Sequence, residues 1–532
     1  MMGLSPSMRS ISILVLLINL PTHKMEFQVV HLTYWLKAIF AMLSTYVVSL
    51  VFYRVFFHPL ANYPGPFLAK VSNAYMLYYA WKGERHIEFW RLHEKYGNAV
   101  RFAPNSLSFN SNSALKEIYG FRANVRKSEF YDAFVHPAPN THNTREKDIH
   151  ARKRRVLSQA FSDGAIKEME RYILANIRIF CDEIGCDASH SFASSQEWSS
   201  PRNMADWCNY LAMDILGDLC FGKAFRMLEC PYAINLVGIA AQRHLLCGTM
   251  PIIDRLGLDK VLFHRISEGR AKYMEYSRAQ LGIRTKLGDE ADRRDFFYHL
   301  LKSPRSRDGG RVHIIAGSDT TSTAMAATLF YLTRNTMVLA RVTREVRSVF
   351  STVEDIRQGS QLTGCTYLRA CIDEAMRLSP SVGGLLPREV LAGGIQIGTD
   401  LIPEGTVIGT PHYAIHHNTE YFPEPFSYLP ERWAKVSTEE EVSRAQSAFC
   451  PFSIGPRGCI GKGLAYVEMT TALARVLFLY DMQRAVGIVD PGEGNPHAAW
   501  GRHRPEEFQL VDTFTSLKNG PMIEFRARMH TS

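Results

Sequence analysis

Several features that would assign this chain quickly are absent. Its 532 residues include ten cysteines, at 181, 186, 208, 220, 230, 247, 365, 371, 450 and 459, and no two form a CxxC pair. That spacing argues against a disulfide scaffold and for reduced thiols on the cytosolic side. There is no phosphate-binding loop, since Gly461-Lys462 lacks both the earlier glycine and the following Ser or Thr. No flavin or nicotinamide fingerprint occurs, nor any internal repeat or long low-complexity linker. An excess of one charge sign is nearly absent too: Lys+Arg 61 against Asp+Glu 52 leaves +9. A surplus that small admits an acidic partner or a membrane surface and does not call for nucleic acid. Apolar residues at 46% and charged residues at 21% are near the globular average, which argues against a disordered, fibrous or many-span chain. At about 150 residues per domain the length suggests three or four domains. The lack of linkers argues instead for one large body.

Long hydrophobic runs are confined to the N-terminus. Ile11 to Leu20 is ten residues ending at Pro21, too short for a bilayer that takes about 20. Ala38 to Phe57 is twenty residues with one charge, Arg54, which can snorkel from near a helix end. Trp35 and Tyr53 suit the two interfaces. No small-residue cleavage site follows, so residues 1–57 read as an uncleaved anchor region with its span at about 38–57; a buried core helix is the bland alternative. Three Lys/Arg stand before the span and three between Arg54 and Lys82, so charge does not set the orientation. The residues before Met25 read as a surplus, with Met1 and Met25 both open as start sites. His58-Pro-Leu-Ala-Asn-Tyr-Pro-Gly-Pro66 holds three prolines and a glycine and reads as a stiff, non-helical hinge.

Residues 67–532 form the expected soluble body, mainly α with small β-sheets. Helical periodicity marks Ile166–Ile184, Met204–Phe221, Thr321–Phe350 and Tyr367–Leu378. In the last, Leu368, Cys371, Ile372, Ala375 and Met376 share one face. Strand-like runs fall at Val100–Phe102, Gly394–Ile397, Val407–Thr410 and Ile523–Phe525.

The most specific stretch is Phe452-Ser-Ile-Gly455-Pro-Arg457-Gly458-Cys459-Ile460-Gly461. It sets one thiol in a tight turn where three glycines allow conformations and approaches that a Cβ would block. Backbone N–H groups of the turn, the positive end of a helix starting near Gly461, and the Arg457 cation are all expected to favour thiolate over thiol. The bland alternative, an ordinary buried cysteine, fits the other nine.

This run resembles the haem-binding signature of the cytochrome P450 family, F-x-x-G-x-R-x-C-x-G, at every fixed position. Four further motifs match in order. His150-Ala-Arg-Lys-Arg154 resembles the haem-propionate helix, and Ala316-Gly317-Ser318-Asp319-Thr320-Thr321 the oxygen-binding segment of the long central helix. Glu374-Ala-Met-Arg377 resembles ExxR, and Pro430-Glu431-Arg432-Trp433 the PER-aromatic motif. The resemblance runs from about His58 to Phe525. It implies the cytochrome P450 fold, haem b with the Cys459 thiolate on the iron, and monooxygenase activity, the thiolate being the ligand that favours O–O cleavage. Asp319 and Thr320 are the implied distal pair that holds oxygen and relays protons. Gly317 costs about 1 kcal/mol in a helix relative to Ala, and room for oxygen is one reason for it. Glu374, Arg377 and Arg432 are implied as a structural charge network behind the haem. Arg154, His150, Arg388 and Arg457 are candidates for the haem propionates, with Phe452, Gly455 and Gly461 shaping the haem loop; His150 stands where the family often has Trp.

Other readings of these residues are weaker. Arg152-Lys153-Arg154-Arg155 resembles a nucleic-acid patch, but on a helix the side chains fan out, and a haem contact plus a basic face for an acidic electron donor explains them better. His412, His416 and His417 have chelating spacing, yet no carboxylate pattern or Cys pair accompanies them, and they read as satisfied loop histidines. Without its own flavin the chain needs a separate electron donor. For a membrane-anchored member the resemblance implies an NADPH-dependent flavin reductase, endoplasmic reticulum membrane with a single pass, and a cytosolic catalytic domain. Substrate contacts are expected near Tyr131–His142, Phe221–Ile253, Ser381–Leu386 and Thr513–Pro521. The two glycines of Ser381–Leu386 suit a bulky hydrophobic molecule or a plain strand turn. NMADWCNYLAMDILGDLCFGKAF and PREVLAGG resemble fungal members that oxidise secondary metabolites, which suggests a terpenoid or polyketide-derived substrate by analogy.

One departure stands out. In the family the distal helix extends several turns upstream; here Gly309-Gly310-Arg311-Val312-His313-Ile314-Ile315 lies directly before Ala316. Roughly twenty residues are missing, about 30 Å of helix. An exon-boundary error is the preferred account over natural deletion, and the transcript across codons 300–320 separates them. Two alternatives to a monooxygenase follow: a haem-thiolate rearrangement enzyme that turns over without reductase or oxygen, and a non-catalytic chain if the shortened helix is real.

Overall fold

The computed structural model describes residues 22–134, 139–185, 197–230, 235–263, 282, 293–301, 315–434 and 438–528. The apolar run Ile11–Leu20, the residues just before Ile315 and parts of two expected substrate segments lie outside them. The chain divides into two compact units, Met1–Asn62 and Tyr63–Ser532.

In the first unit, helix α1 (Thr22–Phe52) runs on through a π-helical turn, Tyr53–Phe57. The stretch Val30–Phe57 is long and apolar enough to cross a membrane, and none of its most apolar window is buried. It begins eight residues earlier than expected, because Val30 to Leu36 adds apolar helix ahead of Lys37. At 1.5 Å per residue it measures roughly 42 Å. No helix follows before Phe67.

The second unit is mainly helical. Its principal helices are α2 (Arg85–Tyr96), α3 (Lys147–Ala160), α4 (Asp163–Gly185), α5 (Met204–Phe221), α6 (Asn235–Thr249), α7 (Ile315–Arg334), α8 (Thr336–Val349), α9 (Thr366–Leu378), α10 (His412–His416) and α11 (Lys462–Leu479). Local chemistry sets their ends. Asn203 Oδ1 accepts from the Ala205 N–H to start α5, and Gly222, at φ 76°, stops it. The Glu345 carboxylate accepts from the Tyr367 and Leu368 N–H groups at the positive end of α9. Apolar faces of α4, α5, α7, α8, α9 and α11 meet in the main core.

Thr321–Phe350 does not form the single helix expected. Asn335 leaves helical geometry at φ −121°, ψ 77°, and its side-chain amide donates to the Tyr331 carbonyl. An Asn that satisfies a backbone carbonyl itself competes with the helix. Arg334 reinforces the break by pairing with Asp490 and Glu493.

The strands β1 (Ala99–Ala103), β2 (Ser106–Phe109), β3 (Val125–Lys127), β4 (Arg202–Asn203), β5 (Arg388–Val390), β6 (Ile395–Ile397), β7 (Asp400–Ile402), β8 (Val407–Gly409), β9 (Tyr480–Arg484), β10 (Val511–Thr513), β11 (Thr515–Leu517) and β12 (Met522–Ala527) are short. They make a five-stranded sheet in the order β1-β2-β8-β5-β3, a three-stranded sheet β4-β12-β9, and the pairs β6-β7 and β10-β11. Only β2 and β8 pair in parallel among them. The register Lys127↔Arg388 between β3 and β5 brings two cations of the site together.

Candidate active site

The Phe452–Gly461 loop folds back on itself. The Cys459 N–H donates to the Phe452 carbonyl (2.8 Å) and the Gly458 N–H to the Gly455 carbonyl (3.0 Å). Gly455 has φ 68°, and a Cβ there would run into the Tyr119 carbonyl, so both conformation and space require glycine. Helix α11 then starts at Lys462. The Gly461 and Lys462 N–H groups bond the Cys459 sulfur and, with the Arg154 and Lys462 cations, pull its pKa down; burial outweighs them and leaves it raised. The sulfur is reachable from outside yet embedded in protein on most sides. The loop N–H groups and the start of the helix act on the sulfur in the expected direction. One expectation is corrected: Arg457 is not the cation that faces the sulfur, because its guanidinium turns away to the Thr144 (2.7 Å) and Arg145 (2.9 Å) carbonyls. The other described cysteines form no disulfide; burial pushes the Cys181 and Cys208 thiols up to about 12.

Beside the loop lies a cluster of cations. Arg154 donates to the Gly458 carbonyl (2.5 Å). Arg388 is buried and donates to the Tyr131 hydroxyl (3.3 Å) and the Leu386 carbonyl (3.1 Å). Lys127, also buried, sits 4.0 Å over the Tyr131 ring. His150 stands among them, held neutral at about 3 by burial and by Arg457, Lys127, Arg154 and Arg388. Burial and the neighbouring Arg388 and Arg457 charges lower Lys127 well below its usual range. None of these cations forms an ion pair with a carboxylate among the described residues. Gathering half-buried like charges without a counter-ion is costly, so the donor set fits a ligand carrying two carboxylates, as haem does. Lys127 is the residue the motifs missed. Its signal was the pattern Val125-Arg126-Lys127, in which a strand places Lys127 on the same face as the buried Val125.

Glu374 and Arg377 are fully buried and paired through two parallel bonds (2.9 and 2.8 Å). Arg432 Nε (3.3 Å), the Trp433 indole (3.0 Å) and the Leu429 N–H (3.1 Å) also donate to Glu374. Arg377 donates further to the His416, Pro425 and Ser427 carbonyls. The three histidines nearby are helical or helix-capping and buried, not loop residues. His416 Nε2 accepts from the Cys450 N–H (3.0 Å), tying α10 to the entrance of the thiolate loop. No group of three possible metal ligands occurs among the described residues.

Helix α7 carries Asp319 and Thr320 and packs along α5. Burial raises the Asp319 pKa, opposed by the charge of Lys518 and by a bond from Thr515. The Thr320 carbonyl accepts from Ser381 Oγ (2.7 Å). A Cβ on Gly317 would lie 3.1 Å from the Leu216 side chain of α5, so the glycine permits close helix packing. The glycines of Ser381–Leu386 likewise face α2, since a Cβ on Gly383 would meet His86 and one on Gly384 would meet Arg85. The residues before Ile315, where a shortening was expected, lie outside the described residues.

The loop, the cation cluster and the buried charge lock are the parts of a haem-thiolate enzyme. Residues 64–497 match the family description Cytochrome P450. The chain is 39% identical over 522 positions to the cytochrome P450 monooxygenase AKT7 of Alternaria alternata, covering 94% of this chain and 99% of that one. It is 39% identical over 500 positions to the cytochrome P450 monooxygenase poxM of Penicillium oxalicum (91% and 93%), and 36% over 538 to apf7 of Gibberella fujikuroi (94% and 99%). The chain belongs to the cytochrome P450 family and is a cytochrome P450 monooxygenase. Membership implies a haem-thiolate centre, with oxygen and a reductase as reaction partners.

Proposed function

We propose that this monooxygenase inserts one oxygen atom of O₂ into a hydrophobic small molecule of fungal secondary metabolism, of terpenoid or polyketide type. The overall reaction is RH + O₂ + 2e⁻ + 2H⁺ giving ROH + H₂O. Cys459 would hold the iron of haem b, and Arg154, His150, Arg388, Arg457 and Lys127 would hold its carboxylates. When bound, the thiolate-ligated haem supplies the oxygen-activating chemistry. The chain's own work is to bind and to move protons. Asp319 would take a proton from the solvent side and pass it to the Thr320 hydroxyl, which would release its own proton onward in the same relay. An NADPH-dependent flavin reductase supplies the electrons, docking over the basic face that includes Arg152 and Arg155. The N-terminal helix anchors the enzyme by a single pass in the endoplasmic reticulum membrane with the catalytic domain in the cytosol.

The observation that carries this reading is the Cys459 sulfur flanked by two N–H donors beside an uncompensated cation cluster. An apolar substrate is supported by the aromatic group Phe130, Tyr131, Phe134 and Phe514, which packs against Leu245 and Leu246 of α6. The test is the reduced, carbon-monoxide-bound spectrum of the full chain. The Soret band typical of thiolate haem is expected, and Cys459→Ala should abolish it. A chain that takes up no haem would refute the reading.

A further inference from the structure

Lys518 belongs to none of the sequence motifs. It follows β11 and is half-buried, with its ammonium turned to the distal helix. Nζ donates to Asn209 Oδ1 on α5 (2.8 Å) and to Ser322 Oγ on α7 (2.8 Å). Ser322 lies one turn beyond Asp319; its hydroxyl contacts Asn209 Oδ1 and reaches the Asp319 carbonyl at 3.1 Å. Thr515, from the same hairpin as Lys518, reaches Asp319 Oδ2 at 3.5 Å. Both hydrogen-bond acceptors here are neutral side chains, one on the helix that carries Asp319 and one on the helix packed along it. An ammonium has three donors, and two are used.

The charged and titratable groups facing Lys518 are Asp319 from α7 and Asp206 and Cys208 from α5, with Tyr210 beyond Asp206. Neither aspartate is in direct ion-pair contact with it, so its charge acts through space. The coupling is mutual. Lys518 lowers an Asp319 pKa that burial raises, and Asp319 raises a Lys518 pKa that burial pushes down to about 8.

We propose that Lys518 is a positioning residue for distal proton delivery, its ammonium keeping Asp319 as a carboxylate between deliveries while bracing the Asn209–Ser322 bridge beside it. This rests on the distal role of Asp319 given above. Each turnover consumes two protons, so an acid that delivers one must be recharged. The carboxylate left after a delivery is the form that accepts the next proton, and a nearby ammonium stabilises that form against the burial that disfavours its charge.

The test uses haem-loaded, substrate-free full-length enzyme and infrared titration of the protonated carboxyl band, assigned by its loss in Asp319→Asn. In Lys518→Met the midpoint of that band should move up by about one to two pH units, the size expected for loss of a nearby buried charge. Lys518→Gln keeps the hydrogen bonds without the charge and should shift it equally; Lys518→Arg should restore it. The hydrogen peroxide released per NADPH should rise several-fold in the Met and Gln variants and not in Arg. A normal carbon-monoxide spectrum with an unmoved band in both neutral variants overturns the proposal. If both neutral variants lose haem while the Arg variant keeps it, the charge is structural and the proposal also falls. A wild-type chain without the thiolate spectrum would instead refute the proposed function.

Discussion

Glu374→Gln tests the buried charge lock. The two carboxylate oxygens of Glu374 receive five donors, from Arg377 (two), Arg432, Trp433 and Leu429. A glutamine offers one oxygen and sets an NH₂ group against N–H donors where the second oxygen stood. Arg377, fully buried, then lacks its counter-ion. Breaking a buried pair from one side costs about 3–5 kcal/mol. For a folded unit of this size the unfolding entropy is on the order of 1 kcal/mol/K, so the melting midpoint should fall by about 3–5 °C. Calorimetry of the apo and haem-loaded forms reads this directly. Replacing Glu374 by Leu and Arg377 by Met together should cost less than the sum of the single changes, because neither partner is then left charged and alone. As a control, Arg341–Glu431 is substantially exposed, and Glu431→Gln should move the midpoint by less than about 1 °C. Single-variant losses below about 1 kcal/mol, or strict additivity in the pair, would refute the lock.

Glu468 is buried with Oε1 unpartnered, and burial raises its pKa to about 8. A carboxyl raised from 4.5 in this way binds more protons when folded, so its contribution is present at low pH and is lost as pH climbs from about 4.5 to 8. Glu468→Gln should flatten the stability profile across that range in chemical denaturation; an unchanged slope would disprove the assignment. Lys127→Met should weaken haem retention by roughly ten-fold in an apomyoglobin transfer assay, the order of one charge-assisted bond, while a surface change such as Lys116→Met should not. Gly317→Ala crowds Leu216 and should cost about 1 kcal/mol or less in stability with product formation per NADPH unchanged; a collapse of that ratio would return the glycine to the oxygen site.

What the sequence made legible, and what it hid, divides along one physical line. Motifs of fixed local spacing correctly indicated backbone shape. Met204–Phe221 has the boundaries the periodicity suggests, because a cap and a left-handed glycine flank it. Glu374 and Arg377 meet because i, i+3 residues on a helix always can. Charge partners were less legible, since they depend on which distant segment folds against a residue. Arg457 stands two residues from Cys459 in the chain, yet bonds the carbonyls before α3, while Arg154, some 300 positions away, faces the sulfur. Lys127 and Lys518 carry no motif at all, and only the β3–β5 register and the turn after β11 bring them to the site. The glycines obey the same division. That 455 must be glycine follows from its φ, a local property; what Gly317 and Gly384 accommodate is another helix, and no spacing rule names it. In this enzyme the candidate thiolate loop is therefore readable from ten consecutive residues, whereas the cations around the site come from positions scattered over some 390.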